Sequence, residues 1–474
     1  MRIERSKTGA LEFDDPRRVC AGTNERKDEV ILHGDCLNVL KTLDAESIDA
    51  CVTDPPYGIG FMGKEWDTFD HVKAEERLAR SKAQREKNRA FYEDNPNPNL
   101  RRRQRSPALS SSAIEYDYSV KGLREFQAWC ELWAREVYRV LKPGAHIVVC
   151  GAPRAYHRMA SGLEDAGFEI RDCLAWLFGS GFPKSLNLGE GLGTALKPAH
   201  EPIVLARKPF KGTVKGNVEK FGTGALNIDA CRIPHDGDSL AGGSSLIGKR
   251  TDTQSEGWTR PWMGNPDARE AARQRSAAQV EKGEEIGRWP ANVVIDDLAA
   301  MVIDEQSGQT EEQARVLQRN GARQQEGWGL GAPSTGLVHG DAGGASRFYY
   351  CAKPSREERD MGCHGLSART AGECTDRKDG SAGLNNPRAG AGRTGGGRNF
   401  HPTVKPIELM RWLIRLVTPI GGTVLDPFLG SGTTGMAARY ELRGFIGIER
   451  EAYYIQIAER RIASVAPLFA EATR

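Results

Sequence analysis

One stretch of the chain joins a short apolar run to a compact polar loop: Ile48-Asp49-Ala50-Cys51-Val52-Thr53-Asp54-Pro55-Pro56-Tyr57-Gly58. The apolar run is typical of a buried strand in a parallel sheet. Two prolines directly after it end the strand and fix the backbone direction, because neither has an N–H to donate. The stretch therefore predicts a carboxylate, an outward-facing carbonyl and an aromatic ring at a strand's carboxyl end, where ligands bind in open α/β sheets.

The chemistry that suits such a loop is narrow. An exocyclic amine on a nucleobase is a poor nucleophile, because its lone pair is delocalised into the ring. The carboxylate of Asp54 and the carbonyl of Pro55 would grip its two N–H groups, while Tyr57 stacks on a base that has left the duplex. The plain structural alternative is a Pro-Pro turn with Asp54 as a helix cap, and these residues alone do not separate the two interpretations.

A second motif, near the other end of the chain, is typical of a strand, a glycine-rich loop and a helix start: Gly422-Thr423-Val424-Leu425-Asp426-Pro427-Phe428-Leu429-Gly430-Ser431-Gly432-Thr433-Thr434. Its glycines let the backbone approach a ligand, and the helix amino end favours a carboxylate. It lacks the Lys of a phosphate-binding loop and the full three-glycine dinucleotide spacing. Glu449 ends the next apolar run, where an acidic side chain is placed to accept ribose hydroxyls.

Together, the two motifs resemble those of DNA amino-methyltransferases with the permuted, β-type motif order, in which the catalytic half precedes the cofactor half. The likeness covers roughly residues 28–206 and 399–465. It implies an α/β fold: a doubly wound, mostly parallel, Rossmann-like methyltransferase sheet, circularly permuted, with an inserted target-recognition region. It also implies S-adenosyl-L-methionine as cofactor and double-stranded DNA as partner, with catalysis by Asp54, Pro55, Pro56 and Tyr57.

The same resemblance assigns residues to the cofactor. The segment 401–406 resembles the motif that closes over the methionine end of S-adenosylmethionine, and the segment 34–37 resembles the one whose Asp meets the adenine. The cofactor-binding residues implied in this way are Asp35, Cys36, Thr403, Lys405, Asp426, Pro427, Phe428, Gly430, Gly432, Thr433 and Glu449.

Composition limits the class of protein. Of 474 residues, 39% are hydrophobic, and the mean hydropathy is −0.52. No apolar run approaches membrane-spanning length and no signal-peptide core is present, so we expect a cytoplasmic protein without a membrane partner. The net charge of +3 does not by itself predict nucleic-acid binding. The ten cysteines lack paired C-x-x-C spacing, which indicates reduced thiols and no metal site.

We divide the chain into three parts. Residues 1–206 form the catalytic half, interrupted at 62–115 by a basic, proline-punctuated insertion that we expect to be flexible without ligand and to close over DNA phosphates. Residues 207–345 lie between the two halves and are predicted to recognise the target. Residues 346–474 form the S-adenosylmethionine-binding half, with a glycine-rich linker at 375–398.

Several local patterns give further expectations. Strands are indicated at 217–229, 292–296 and 346–352, and helices at 267–281 and 309–320. Apolar residues at helical spacing also indicate amphipathic helices at 122–141 and 407–417. The loop at 179–185 offers Phe182 and Lys184 to a flipped base or a phosphate, with a plain structural loop as the alternative. His200-Glu201 opens another predicted strand and is interpreted as a structural hydrogen-bonding pair, or as an orienting pair near the base pocket.

The leading prediction is a site-specific DNA methyltransferase that transfers a methyl group from S-adenosylmethionine to an exocyclic amine of a flipped base. Adenine N6 is preferred to cytosine N4 because Asp rather than Ser begins the Pro-Pro-Tyr motif, which is a tendency of the family. A catalytically silent DNA-binding regulator of the same fold is disfavoured, since every expected catalytic and cofactor position is filled. A nicotinamide-dependent oxidoreductase is disfavoured by the incomplete glycine fingerprint. Homodimer formation and a cognate restriction endonuclease stay open.

Overall fold

The structure is a computed structural model that describes residues 29–57, 120–179, 187–234, 287–308, 345–352, 356–370 and 397–465, with shorter pieces outside those ranges. The chain divides into two compact units. The first comprises Met1–Trp176, His200–Asn227 and Lys353–Arg474, and the second comprises Leu177–Ala199 and Ile228–Ala352. The whole of the predicted insertion at 62–115 and most of the linker at 375–398 lie outside the described residues.

A mostly parallel sheet forms the centre of the first unit. Its described strands lie side by side in the order Glu169–Leu177 (β4), His200–Arg207 (β5), Leu141–Cys150 (β3), Ile48–Thr53 (β2), Thr423–Asp426 (β8), Gly444–Glu449 (β9), Glu29–His33 (β1) and Arg18–Val19. The five strands from β3 to β1 in that order are parallel to one another, whereas β5 is antiparallel to β3 and Arg18–Val19 is antiparallel to β1. Strands β2 and β8 are direct neighbours although they come from opposite ends of the chain, which is the permuted arrangement that the motifs predict.

Both faces of this sheet are covered. In β1, Val30 and Leu32 pack into one core cluster, while Ile31 between them is equally buried. Because alternate residues of a strand point to opposite faces, both faces need a layer of helices. The cluster on the Val30 side contains residues of helices Cys36–Leu40 (α1), Val120–Val140 (α2) and Tyr156–Asp165 (α3). Helices Ile407–Val417 (α7), Thr433–Tyr440 (α8) and Ala452–Ala463 (α9) pack together, with α7 against β2 and α9 against β1.

The spacing of apolar residues explains why α2 and α7 cover the sheet. Both helices are predicted from apolar residues that recur every three or four positions, and most of these residues are buried, whereas Leu132 of α2 is 56% exposed. In α2 they include Phe126, Trp133 and Val137, and in α7 they include Met410 and Leu413. Full burial of each large apolar side chain contributes roughly 1.5–3 kcal/mol to stability.

In the second unit, Val293–Ile295 (β6) pairs in parallel with Tyr350–Cys351 (β7). The helix Asp297–Ser307 (α5) follows β6. Asp296 caps this helix by accepting a hydrogen bond from the N–H of Ala299 at 2.7 Å, and it also accepts one from the N–H of Gly179 at 3.0 Å. The strand expected at 292–296 is therefore confirmed, and it leads directly into a helix cap.

The strand expected at 217–229 is wrong, because a helix, Val214–Phe221 (α4), occupies its first half. Thr213 begins this helix by accepting a hydrogen bond from the N–H of Gly216 at 3.1 Å, and Gly222 ends it in the left-handed conformation. These two caps outweigh a weak apolar pattern. The second half contains a single 3-10 turn, Asp229–Cys231.

Two further expectations in the second unit differ from the structure. Of 309–320, only Arg315–Val316 is described, as a short strand paired with Leu337–Val338, so the predicted helix is wrong there. The strand expected at 346–352 is limited to β7, because Ser346 is held in a 3-10 turn by hydrogen bonds from its N–H and its hydroxyl to Asp304. The described residues of 267–281 are helical, as predicted. None of the described helices combines the length and the hydropathy that a bilayer crossing needs.

Candidate active site

The catalytic motif and the cofactor motif meet at one edge of the sheet. Strands β1, β2, β8 and β9 run in the same direction, so Asp35, Asp54, Asp426 and Glu449 all lie at strand carboxyl ends on that edge. The hydroxyl of Thr53 donates a buried hydrogen bond to Oδ1 of Asp426 at 2.6 Å, across 373 positions of sequence. The two motifs therefore form one site.

Two donors hold the carboxylate of Asp54. The hydroxyl of Tyr57 donates to Oδ1 at 2.7 Å, and the ammonium of Lys405 donates to Oδ2 at 2.7 Å. The same ammonium donates to the hydroxyl oxygen of Tyr57 at 2.9 Å. Lys405 lies just before α7, where Pro406 occupies the cap position. The resemblance assigns Lys405 to the cofactor, whereas the structure puts its ammonium on the predicted catalytic carboxylate.

Glu201 is the fourth member of this cluster. Because β5 is antiparallel to β3, with Ile203 opposite Cys150, the amino end of β5 lies beside the carboxyl end of β3. There, Oε2 of Glu201 lies 3.3 Å from Nζ of Lys405 and 3.4 Å from the hydroxyl oxygen of Tyr57. The sequence shows an acidic residue at the start of a predicted strand. It does not show that this strand is antiparallel, and the antiparallel direction is what brings Glu201 to the site.

Burial and charge set the protonation of the two donors. Burial raises the pKa of Tyr57 well above its usual value, and the charge of Asp54 adds to this, so the hydroxyl keeps its proton. Burial alone would lower the pKa of Lys405, but the carboxylates of Asp54 and Glu201 hold it well above its usual value. Two carboxylates thus face one ammonium, and the cluster has an excess of acidic groups.

The glycine-rich loop turns sharply between β8 and α8. Gly430 and Gly432 have φ of 53° and 81°, a region that side chains disfavour. A Cβ on Gly430 would lie 2.8 Å from Nε2 of His401, and a Cβ on Gly432 would lie 2.8 Å from Cα of Ala458. Conformation and space therefore both require glycine at these two positions.

Two buried carboxylates support this loop. Oδ1 of Asp426 accepts a hydrogen bond from the N–H of Phe428 at 3.0 Å. Oε2 of Glu449 accepts one from the N–H of Gly430 at 2.8 Å, and its Oε1 accepts one from the N–H of Glu451 at 2.8 Å. Burial raises the pKa of Asp426 to about 6 and that of Glu449 to about 7. Glu449, which the sequence predicts to accept ribose hydroxyls, is seen here to fix the backbone of the loop.

The predicted adenine segment lies next to this loop. The N–H of Gly34 donates to the carbonyl oxygen of Glu449 at 2.9 Å, which ties the end of β1 to the end of β9. Asp35 is exposed and caps α1 by accepting a hydrogen bond from the N–H of Leu37 at 3.0 Å. Cys36 is buried, and burial raises the pKa of its thiol to about 12. Of these residues, Asp35 is the one with an exposed polar side chain.

Two other predicted cofactor residues are fixed by their neighbours. The ring of Phe428 packs against Trp129 and Trp133 of α2, with ring centroids 5.5 Å and 5.4 Å apart. The carbonyl oxygen of Thr403 lies 2.5 Å from Nδ1 of His401. Burial lowers the pKa of His401 to about 4, so its ring packs as a neutral group against the glycine-rich loop.

Arg461 supports the loop from α9 and is absent from the sequence-based site. It is completely buried, and its Nη1 donates to the carbonyl oxygen of Ser431 at 2.8 Å, to the Ser431 hydroxyl at 3.0 Å and to the Thr433 hydroxyl at 3.0 Å. Its Nη2 donates to the carbonyl oxygen of Glu358 at 3.1 Å. An Arg in an amphipathic helix is usually exposed to solvent. The sequence feature that places Arg461 on the buried face of α9 is its position four residues after Ile457, which is buried.

A short helix, Arg356–Asp360 (α6), braces the segment that precedes Lys405. Arg359 donates from Nε to the carbonyl oxygen of Asn399 at 3.0 Å and from Nη2 to that of His401 at 2.8 Å. Oδ1 of Asp360 accepts a hydrogen bond from the N–H of Asn399 at 2.9 Å. Glu358 of this helix accepts the hydrogen bond from Arg461. Helix α6 therefore contacts both the segment before Lys405 and the arginine that supports the glycine-rich loop.

The arrangement fits S-adenosylmethionine. Gly430 and Gly432 let the loop turn tightly against His401 and Ala458, and the first turn of α8 carries N–H groups that favour a carboxylate. Glu449 and Asp35 supply acidic acceptors for hydroxyl and amine groups. Within the described parts of the chain, no group of three or more His, Cys, Asp or Glu side chains is arranged to hold a metal ion. Phe182 and Lys184 lie outside the described residues.

Comparison with known proteins gives a consistent result. The family model described as DNA methylase, for N6 and N4 methyltransferases, matches residues 48–460. The type II methyltransferase M.HindIII of Haemophilus influenzae strain Rd is 26% identical over 248 residues, which cover 48% of this chain and 75% of that protein. The type II methyltransferase M.HinfI of Haemophilus influenzae is 44% identical over 71 residues, 15% of this chain and 20% of that protein.

Among solved structures, the PvuII DNA methyltransferase, described as cytosine-N4-specific, aligns over 94% of this chain and 90% of its own, with 13% identity and a TM-score of 0.41. That score is too low to support a conclusion. The family model, in contrast, spans most of the sequence. The chain therefore belongs to the N6/N4 DNA methylase family, whose members methylate exocyclic amines of DNA bases with S-adenosylmethionine as the methyl donor.

Proposed function

We propose that this methyltransferase acts on the N6 amine of adenine, at a specific site in double-stranded DNA, after the base has left the duplex. Asp54 and the carbonyl of Pro55 receive the amine, Tyr57 stacks on the base and Pro56 fixes the loop. The cofactor is held by the 426–433 loop together with Glu449, by Asp35 and Cys36, and by the 401–406 segment.

The observation that carries this proposal is the hydrogen bond between Thr53 and Asp426, 2.6 Å long and buried. Thr53 adjoins the catalytic Asp54, and Asp426 begins the cofactor loop. Methyl transfer requires the reacting atoms to approach to about 3–3.5 Å. The contact between Thr53 and Asp426 holds the proposed catalytic loop beside the proposed cofactor loop, which such an approach requires.

S-adenosylmethionine, when bound, supplies an electrophilic methyl group. The task of the protein is to make the amine nucleophilic, and acceptors on both N–H groups do this by localising the nitrogen lone pair. The amine becomes acidic as its nitrogen is alkylated, so Asp54 takes the released proton without having to be a strong base. Lys405 and Tyr57 hold the carboxylate in place beforehand.

Adenine is the first choice because Asp begins the Pro-Pro-Tyr motif. Cytosine N4 is the second candidate, since its exocyclic amine presents the same two N–H groups to the same acceptors. The filled catalytic positions disfavour a silent DNA-binding regulator. We place target recognition in residues 207–345, on the basis of their position between the two halves of the site. A homodimer, a cognate restriction endonuclease and a cytoplasmic location stay predictions.

Replacement of Asp54 tests the proposal directly. We expect Asp54→Ala to lower tritiated methyl transfer to plasmid DNA by about 10²–10⁴-fold or more, with S-adenosylmethionine affinity by calorimetry retained. Glu164→Gln, an exposed change on α3, is the control. Unchanged transfer in Asp54→Ala would show that Asp54 is not a catalytic residue.

Methylome sequencing of cells that express the protein identifies the methylated base. N6-methyladenine would support the proposal, whereas N4-methylcytosine would show that the second candidate is the correct one.

A further inference from the structure

Two carboxylates in the active site share the same two donors. The Lys405 ammonium and the Tyr57 hydroxyl each lie 2.7 Å from an oxygen of Asp54. The same ammonium and hydroxyl lie 3.3 Å and 3.4 Å from Oε2 of Glu201. Both donors therefore stand between two acceptors and are bonded more closely to Asp54. A displacement of well under about 1 Å would reverse that preference.

The proposed reaction requires Asp54 to receive a different donor. An exocyclic amine that binds Asp54 must offer an N–H to an oxygen that Tyr57 or Lys405 now occupies. The ammonium of Lys405 occupies Oδ2 as the target amine would, with an N–H pointing at a carboxylate oxygen. A carboxylate oxygen can accept more than one hydrogen bond, so the amine competes with the donor already there, and the oxygen is a stronger acceptor for the amine once that donor has moved away.

Lys405 has little freedom to give way to solvent. Its side chain is only 8% exposed, and an ammonium without a partner in such a position is strongly disfavoured. Glu201 is 25% exposed and is the second carboxylate within ion-pair distance of the ammonium. Glu201 lies at the start of β5, so its backbone belongs to the central sheet.

We propose that Glu201 is a positioning residue, which takes over the Lys405 ammonium when the amine of the target base binds Asp54. The inference rests on the proposed function, because it needs Asp54 to be the acceptor of the target amine. In the free enzyme Lys405 holds Asp54 in its reactive orientation, and in the complex Glu201 holds Lys405. The second carboxylate thus removes the cost of leaving a buried ammonium unpaired.

A double-mutant cycle on the full chain tests this hand-over. Glu201→Gln keeps the shape but removes the charge that accepts the ammonium, so we expect the single-turnover methylation rate on plasmid DNA to fall about tenfold or more, with S-adenosylmethionine affinity unchanged. In a Lys405→Met background, the same change should cost less than about twofold, because no ammonium remains to be moved. Equal losses in both backgrounds, or no loss in either, would overturn the proposal. Glu164→Gln on α3 is again the control.

A crystal structure of the Asp54→Asn variant gives a second readout that does not depend on activity. With the charge at position 54 removed, the Lys405 ammonium should lie within hydrogen-bond distance of Glu201, at about 2.8 Å. An ammonium that stays on the new amide at position 54, or turns to solvent, contradicts the hand-over, whatever the enzyme does to DNA. An ammonium on Glu201 together with a wild-type protein that transfers no methyl group would instead refute the proposed function alone.

Discussion

Glu449 is a buried carboxylic acid whose pKa lies near neutral pH. Burial raises its pKa from 4.5 to about 7, although the N–H groups of Glu451 and Gly430 lower it in part. A carboxyl group with a raised pKa binds more protons in the folded than in the unfolded state between those two values. Its contribution to the free energy of unfolding is therefore present below about pH 4.5 and is lost as pH rises to about 7.

Glu449→Gln isolates this contribution, because glutamine does not titrate. The unfolding free energy of the variant minus that of the wild type should increase with pH between about 4.5 and 7, by up to about 3 kcal/mol, and then level off. Urea unfolding at several pH values measures it. Titrating groups that do not interact with Glu449, such as His401, cancel in the difference, whereas Asp426 is coupled to Glu449 by charge and adds a smaller change. A difference that does not change with pH would mean that Glu449 titrates normally in the folded protein.

Arg461 of α9 supports the glycine-rich loop between β8 and α8. Its guanidinium bonds Ser431 and Thr433, and burial lowers its pKa to about 10, which still leaves it charged. Without it, a carbonyl and two hydroxyl groups of a buried turn lose their donor. Each unsatisfied buried group costs about 1–3 kcal/mol.

We therefore expect Arg461→Met to weaken S-adenosylmethionine binding by about tenfold or more and to lower stability by a few kcal/mol. Calorimetry gives the affinity, and urea unfolding gives the stability. The neighbouring Arg460 is exposed on the same helix, so Arg460→Met is the matched control and should leave the affinity unchanged. Equal affinity in the Arg461 variant and the wild type would show that the loop keeps its shape without this contact.

The elements of the central sheet were the most predictable part of the chain. Apolar runs before Asp54 and Asp426 indicated buried strands, and the helical spacing in α2 and α7 indicated the covering layers. Helix α4 was missed because its signals are caps at Thr213 and Gly222, and its apolar pattern is weak. Periodicity thus identified elements that bury a continuous face and failed for a short helix held by its ends.

The part of the site that was predictable consists of the residues at the carboxyl ends of strands. Asp54, Asp426 and Glu449 lie together because their strands are parallel neighbours, which the motif order implied. The contact of Lys405 with Asp54 and the presence of Glu201 depend on side-chain direction and on an antiparallel strand. The sequence left Glu201 between a structural hydrogen bond and a place near the base pocket and did not indicate the contact of Lys405 with Asp54, because a sequence pattern fixes neither feature.

At the level of the whole molecule, DNA binding must come from local charge, since the net charge is only +3. Residues 73–105 carry eleven Lys or Arg against five Asp or Glu, the type of segment that neutralises phosphates. Each phosphate contact releases counterions and steepens the fall of log affinity with log salt by about 0.9. A segment that acts through phosphates should therefore contribute strongly at low salt and weakly at high salt.

Deletion of residues 73–105 should consequently reduce affinity for plasmid-derived duplex DNA more at low salt than at high salt, with a shallower salt dependence. Fluorescence anisotropy over a salt series measures both quantities. Replacement of Arg101, Arg102, Arg103 and Arg105 by Gln keeps the chain length and should reproduce part of the change in slope, by up to about 0.9 for each phosphate that is no longer neutralised. A loss of affinity that is the same at every salt concentration would show that the segment contributes through shape or base contacts instead.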